Sequence, residues 1–99
     1  MAIGMKLDIP GGTKEQYEMI NQKAFGNPQG PTEPIPGLII HTAGATADGW
    51  RIFDVWESKE AFEQFMNDVI MPATEGLDMP QIPPEVYELT AAVGSAVPA

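Results

Sequence analysis

Apolar and polar positions alternate without a break from Ala2 to Ile9. Ile3, Met5, Leu7 and Ile9 fall on one side, and Ala2, Gly4, Lys6 and Asp8 on the other. A period of two over this length predicts a β-strand with one buried face. Pro10-Gly11-Gly12 ends it. Thr13 then offers an N-cap, and Gln16 three residues on completes a capping box. Behind it the period lengthens, with Tyr17, Ile20, Ala24 and Phe25 on one helical stripe that Gly26 and Pro28 close. Residues 26–37 carry four prolines and three glycines, a composition that excludes regular structure. A connection this long in a small domain is either a binding loop or a stiff linker over one end of the sheet.

Two further strands are predicted over residues 38–43 and 50–57, with Thr46, Asp48 and Gly49 supplying turn chemistry between them. Ser58 caps a second helix. Its apolar positions Phe62, Phe65, Met66 and Val69 follow the i, i+3, i+4, i+7 spacing, and Pro72 is expected to terminate it. A second proline-rich connection covers residues 72–84, and residues 85–91 read as a fourth strand. The order β-α-β-β-α-β predicts an α+β, ferredoxin-like domain over residues 1–91. Its four-stranded antiparallel sheet has strands one and three at the centre and two helices on one face. The small-residue tail, 92–99, is expected to be flexible.

The second sheet face should be wet in a monomer, yet the strands are apolar on both parities. Strand two has Leu38 and Ile40 on one side and Ile39 and Ala43 on the other. Strand three has Trp50, Ile52 and Trp56 opposed by Phe53 and Val55. A clean alternation belongs to a sheet with one solvated face. The expectation is therefore a homodimer packed sheet to sheet as an α+β barrel.

Composition narrows the function classes. With 14 acidic against 5 basic residues the formal charge is −9, which repels phosphate and makes nucleic acid and anionic membranes poor partners. There is no cysteine and a single histidine. That removes thiolate chemistry and any ordinary zinc site. No run approaches the ~20 apolar residues of a membrane span, and the N-terminus lacks the form of a signal peptide. The default expectation is a cytoplasmic protein.

His41 and Asp54 are the positions that packing does not explain. His41 carries the one group whose ordinary pKa lies near neutrality. It stands among apolar neighbours on strand two, as a base that takes a proton from a phenol or carbon acid or as a buried structural imidazole. Asp54 sits mid-strand between Ile52 and Trp56, where an aspartate is unfavourable without a partner. Lys6 and Arg51 are candidate partners. The alternative role is to orient His41, which requires a register that puts both on one face. Tyr17, Trp50, Trp56 and Tyr87 are candidates for an aromatic slot holding a flat ligand, against the plainer role of core or interface.

The segment His41-Thr-Ala-Gly, Gly49-Trp50, Asp54-Val-Trp-Glu-Ser58, then Glu60-Ala-Phe62 and Phe65, resembles the dimeric α+β barrel superfamily. It is similar in particular to small bacterial proteins near the antibiotic biosynthesis monooxygenases. The resemblance spans residues 2–91 in topology and 37–72 in motif. It implies a homodimer with one pocket per subunit between helices and sheet. It also implies an activity among cofactor-free oxidation, cyclisation or isomerisation of an aromatic or polyketide-like substrate. The alternative is a non-catalytic small-ligand binder or a structural dimer, because the fold hosts both. Haem-degrading relatives carry their axial histidine on a helix, whereas His41 lies on a predicted strand. No cofactor is expected. In this reading His41 and Asp54 are catalytic, and Tyr17, Trp50, Trp56 and Tyr87 line the substrate site.

Overall fold

The computed structural model describes residues 2–77 and 82–94. Strand β1 (Ile3–Pro10) leads into helix α1 (Lys14–Phe25). Strands β2 (Leu38–Thr46) and β3 (Gly49–Trp56) follow as a hairpin. Then come helix α2 (Lys59–Phe65), a π-helical turn (Met66–Ile70), a short helix α3 (Met71–Thr74), and strand β4 (Glu85–Glu88). The sheet order is β2-β3-β1-β4, with every neighbour antiparallel. This is the ferredoxin-like arrangement expected from the element order. The tail reading for 95–99 and part of the second proline-rich connection, 78–81, lie outside the described residues.

Local chemistry fixes the helix ends. The Thr13 hydroxyl accepts the Gln16 amide, and the Gln16 side chain reciprocates to the Thr13 N–H, so two otherwise orphaned donors are satisfied. Gly26 closes α1 in the left-handed region at φ 71°, which costs a glycine little. The Ser58 side chain accepts the Ala61 amide at the start of α2.

Pro72 does not end the second helical run, contrary to the sequence expectation. The backbone widens to a π turn over Met66–Ile70, in which the Met71 N–H bonds the Met66 carbonyl. Pro72 then occupies the first turn of α3, where a missing N–H is tolerated.

Register assigns the faces. Ile3, Met5, Leu7 and Ile9 on β1 oppose Trp56, Asp54, Ile52 and Trp50 on β3, and this side meets the helices. Ile3, Met5, Trp56 and Phe62 are the buried heart of the core, with Leu7, Leu38, Ile52 and Phe65 packed against them. Trp56, at 1% exposure, is the most enclosed large side chain. Its ring meets Phe62 edge-on at 5.8 Å and Phe65 tilted at 5.2 Å.

β2 departs from simple alternation. Leu38 opposes Trp56, but Ile40 opposes Val55, so Ile39 is an extra residue in a β-bulge. A bulge resets the side-chain phase of everything beyond it. Leu38 therefore shares the helix-side face with His41 and Ala43, while Ile40 turns to the opposite face. The grouping of Leu38 with Ile40 read from strict alternation is corrected by this one inserted residue.

The opposite face is divided. Ile40, Phe53 and Val55 make an apolar stretch, beside which the Tyr87 ring and Leu89 lie so close over Gly4 that a Cβ there would sit 3.0 Å from the ring. The rest is ionic. Arg51 Nε donates to Asp8 Oδ1 at 2.5 Å, and Lys6 lies between Asp8 and Glu85 at 3.7 and 3.8 Å. Ile40 and Tyr87 remain 40% and 42% exposed.

Candidate functional site

The bulge in β2 and the β2–β3 register together bring His41 directly opposite Asp54. Both side chains project toward α1. His41 Nδ1 lies 2.6 Å from Asp54 Oδ1, and His41 Nε2 lies 2.5 Å from the Tyr17 hydroxyl. A carboxylate only accepts, so Nδ1–H donates to Asp54. In the neutral ring Nε2 is then the acceptor of the Tyr17 O–H. The second carboxylate oxygen accepts the Trp56 indole N–H at 3.3 Å. Asp54 thus has a partner on each oxygen, as a buried carboxylate requires. Those partners are His41 and Trp56, not Lys6 or Arg51, which pair with Asp8 and Glu85 on the other face.

The hydrogen-bonded series runs from a buried carboxylate to two groups that reach solvent or the cavity, with Tyr17 half-buried. The Asp54 side chain is 6% exposed and that of His41 35%. The Tyr17 and His41 rings are nearly coplanar, 10° apart with centroids at 5.9 Å. With the hydroxyl aimed at a ring nitrogen, this is an edge-to-end contact rather than face stacking. Trp50 packs against the Tyr17 ring at 5.3 Å. Burial pushes the Tyr17 phenol above its usual pKa, partly offset by the Asn21 amide and reinforced by the negative charge of Asp54. Tyr17 is therefore held in its neutral phenol form.

These groups open onto a cavity of about 240 Å³ between the helices and the sheet. Its walls are mainly apolar, from Met5, Leu7, Ile20, Ile52, Phe62 and Met66. Gln29, Gly30, Pro31 and Ile35 of the 26–37 connection close one side. Asn21 Nδ2 ties that connection to α1 through the Pro28 carbonyl at 3.1 Å. At its far end Gly37 (φ 82°) seats the loop on α2, where a Cβ would lie 2.4 Å from that of Ala61. No lysine or arginine lines the cavity among the described residues. A second, more open groove of about 400 Å³ lies outside the loop and holds no imidazole or phenol.

Of the residues singled out in the sequence, His41, Asp54, Tyr17 and Trp56 meet at this cavity. Trp50 stands one shell back behind Tyr17. Tyr87 opposes Gly4 in the β1–β4 pairing and lies on the opposite sheet face, so the structure does not bring it to the others. Asn21 escaped the sequence reading. It sits four residues after Tyr17, on the same helical stripe, and is buried. A polar residue at an apolar position of that stripe is the signal that marks it. Among the described residues no cluster of three or more potential metal ligands occurs, and no helix is long and apolar enough to cross a membrane. The chain matches no protein-family model and no curated protein.

Proposed function

We propose that this protein is a small-molecule enzyme that moves protons with its own side chains, of the antibiotic biosynthesis monooxygenase-like type. Its substrate is a small aromatic or polyketide-like compound. Its reaction begins with loss of a proton and continues as an isomerisation or cyclisation, or as an oxidation in which dioxygen, as co-substrate, takes up the electrons. The hydrogen-bonded series Asp54–His41–Tyr17, ending in an apolar cavity, carries this reading. A substrate O–H or acidic C–H at the Tyr17 oxygen gives up its proton as the phenol proton passes to His41 Nε2. Asp54 stabilises the imidazolium that results, as a carboxylate does in other histidine relays. The low polarity around the buried Asp54 carboxylate, 6% exposed, strengthens its interaction with His41. That no lysine or arginine lines the walls among the described residues favours a substrate whose reactive part is uncharged.

The test combines binding with proton exchange. Hydroxylated polycyclic aromatics should raise the Tm. Among those that bind, an acidic C–H should exchange with D₂O faster than in buffer. His41→Ala and Tyr17→Phe should each lower that rate by about 10²-fold or more, the usual range for a removed acid–base group. If exchange at the wild-type protein equals that in buffer while binding persists, the protein is a non-catalytic binder of the same compounds. That second reading is favoured by the small size and largely apolar lining of the cavity. If nothing binds, both fail.

We further propose a homodimer through the sheet face opposite the helices, as in the dimeric α+β barrel superfamily. Ile40 and Tyr87 are the exposed apolar side chains of that face, flanking the half-buried Phe53 and the buried Val55. Exposed apolar side chains clustered on one surface favour association. Light scattering at micromolar concentration should give twice the monomer mass, and Ile40→Lys should return it to one. A clean monomer in the unaltered protein would contradict the dimer.

A further inference from the structure

We propose that the open groove outside the 26–37 connection is the second half of the same binding site. It takes the aliphatic tail of an elongated ligand whose reactive ring lies at Tyr17 and His41, and that tail ends in an amine or another hydrogen-bond donor. This rests on the reading of the inner cavity given above.

Three observations carry it. First, the two spaces share walls. Phe25, Pro31, Ile35 and Phe65 line both the inner cavity and the groove. The partition is therefore a single layer of side chains, with the Phe25 and Phe65 rings 6.2 Å apart and nearly parallel. Both rings are only half-buried, so a different staggered rotamer at Phe25 opens the layer without moving backbone.

Second, the π turn at Met66–Ile70 serves both spaces. Met66 and Ile70 face the inner cavity, and Asp68 and Val69 face the groove. Turns of this kind recur at functional sites, because the wider backbone re-aims side chains that an α-helix would stack.

Third, size and charge are selective. The inner cavity, at about 240 Å³, is smaller than the roughly 300–1,000 Å³ usual for ligand pockets. Together with the groove of about 400 Å³ it falls inside that range. The groove has an apolar floor of prolines, Ala61 and Val69, with Glu33, Gln64 and Asp68 lining it. Neither Glu33 nor Asp68 makes an ion pair among the described residues. In a chain of net charge −9 an anionic tail is repelled there and a cationic or donor tail is favoured.

The full chain, uniformly ¹⁵N-labelled, is titrated with three probes. These are 2-naphthol, 2-naphthol bearing a short alkyl chain that ends in a primary amine, and the same compound ending in a carboxylate. The amine probe should bind at least about tenfold tighter than 2-naphthol, the gain expected from burying about two methylenes. It should shift the amides of Gln64, Asp68 and Val69 in addition to those around Tyr17. The carboxylate probe should bind more weakly than the amine. Val69→Trp, which fills the groove, should remove the advantage of the tail and leave 2-naphthol binding unchanged. Asp68→Asn should narrow the gap between the amine and carboxylate probes.

An amine probe no tighter than 2-naphthol, or a tail advantage that survives Val69→Trp, overturns the proposal while the inner cavity stands. If 2-naphthol itself shifts nothing around Tyr17 and His41, the inner-cavity reading fails and the two-part site fails with it.

Discussion

Asp8 and Asp54 stand on the two central strands, on opposite faces of one sheet, and differ in almost everything that follows. Asp8 is solvated and paired with Arg51 and Lys6. The Arg51 guanidinium holds its carboxyl below the ordinary range, against a smaller opposing effect of desolvation. Asp54 is buried, and its partners are an imidazole and an indole. A charge pair in water is screened and entropically costly, so its net worth is small. A buried carboxylate polarises whatever it touches, and losing it strands its partners. The sheet thus uses the same side chain for solubility on one face and to build a hydrogen-bonded chain on the other.

The largest effect expected on this comparison comes from Trp56, which both fills the core and donates to Asp54. Trp56→Ala should cost about 3–5 kcal/mol, a large share of the stability of a small domain. Urea denaturation would read it, and a cost near zero would mean that the helix-side face is not the core. Asp54→Ala should follow at about 1.5–3 kcal/mol, since two donors lose a charged acceptor. That corresponds to a Tm lower by roughly 6–24 °C for a chain of this length. Asp8→Ala is the matched control and should move Tm far less.

Tyr17 contributes through pH. Its phenol pKa is raised in the folded state, so the folded protein keeps the Tyr17 proton where the unfolded chain loses it. The stabilisation is complete below the ordinary phenol value of about 10 and is lost as pH rises through the higher folded value. The difference in phenolate absorbance between the unaltered protein and Tyr17→Phe should therefore show a midpoint above 10. A midpoint at or below 10 would place the phenol in water. Arg51→Ala should give the smallest change, a slight fall in Tm that vanishes at about 1 M salt. Because the folded Asp8 pKa is depressed, its contribution is present above the unfolded value and fades as pH drops through the folded one. A large, salt-independent loss on Arg51→Ala would erase the contrast between the faces.

Much of this was legible in the residues. The alternation in β1, the capping box at Thr13 and the first part of the second-helix stripe, Phe62 and Phe65, each depend on neighbours in sequence. Each formed as its pattern required, whereas the π turn carries Val69 off that stripe to the groove. What the sequence could not disclose depends on contacts between distant segments. The bulge at Ile39 is invisible in a run of apolar residues, yet it decides which side of the sheet His41 faces. The π turn places Pro72 in the first turn of α3, where propensity alone would stop the helix. Tyr87 looked like Tyr17 by composition, and only the β1–β4 register separates them. Asn21 stands out in the sequence as a polar residue on an apolar stripe, but what it does, tying the loop through the Pro28 carbonyl, depends on the fold.

Asp54, His41 and Tyr17 form one directed hydrogen-bonded chain. The chain has a single histidine, so the ¹H–¹⁵N spectrum of the imidazole ring reports His41 without ambiguity. At a pH where the ring is neutral, the account predicts a protonated Nδ1 with a downfield proton that Asp54→Asn shifts. It also predicts an unprotonated Nε2 whose ¹⁵N resonance moves on Tyr17→Phe. A ring protonated at Nε2, or nitrogens indifferent to both substitutions, would contradict it.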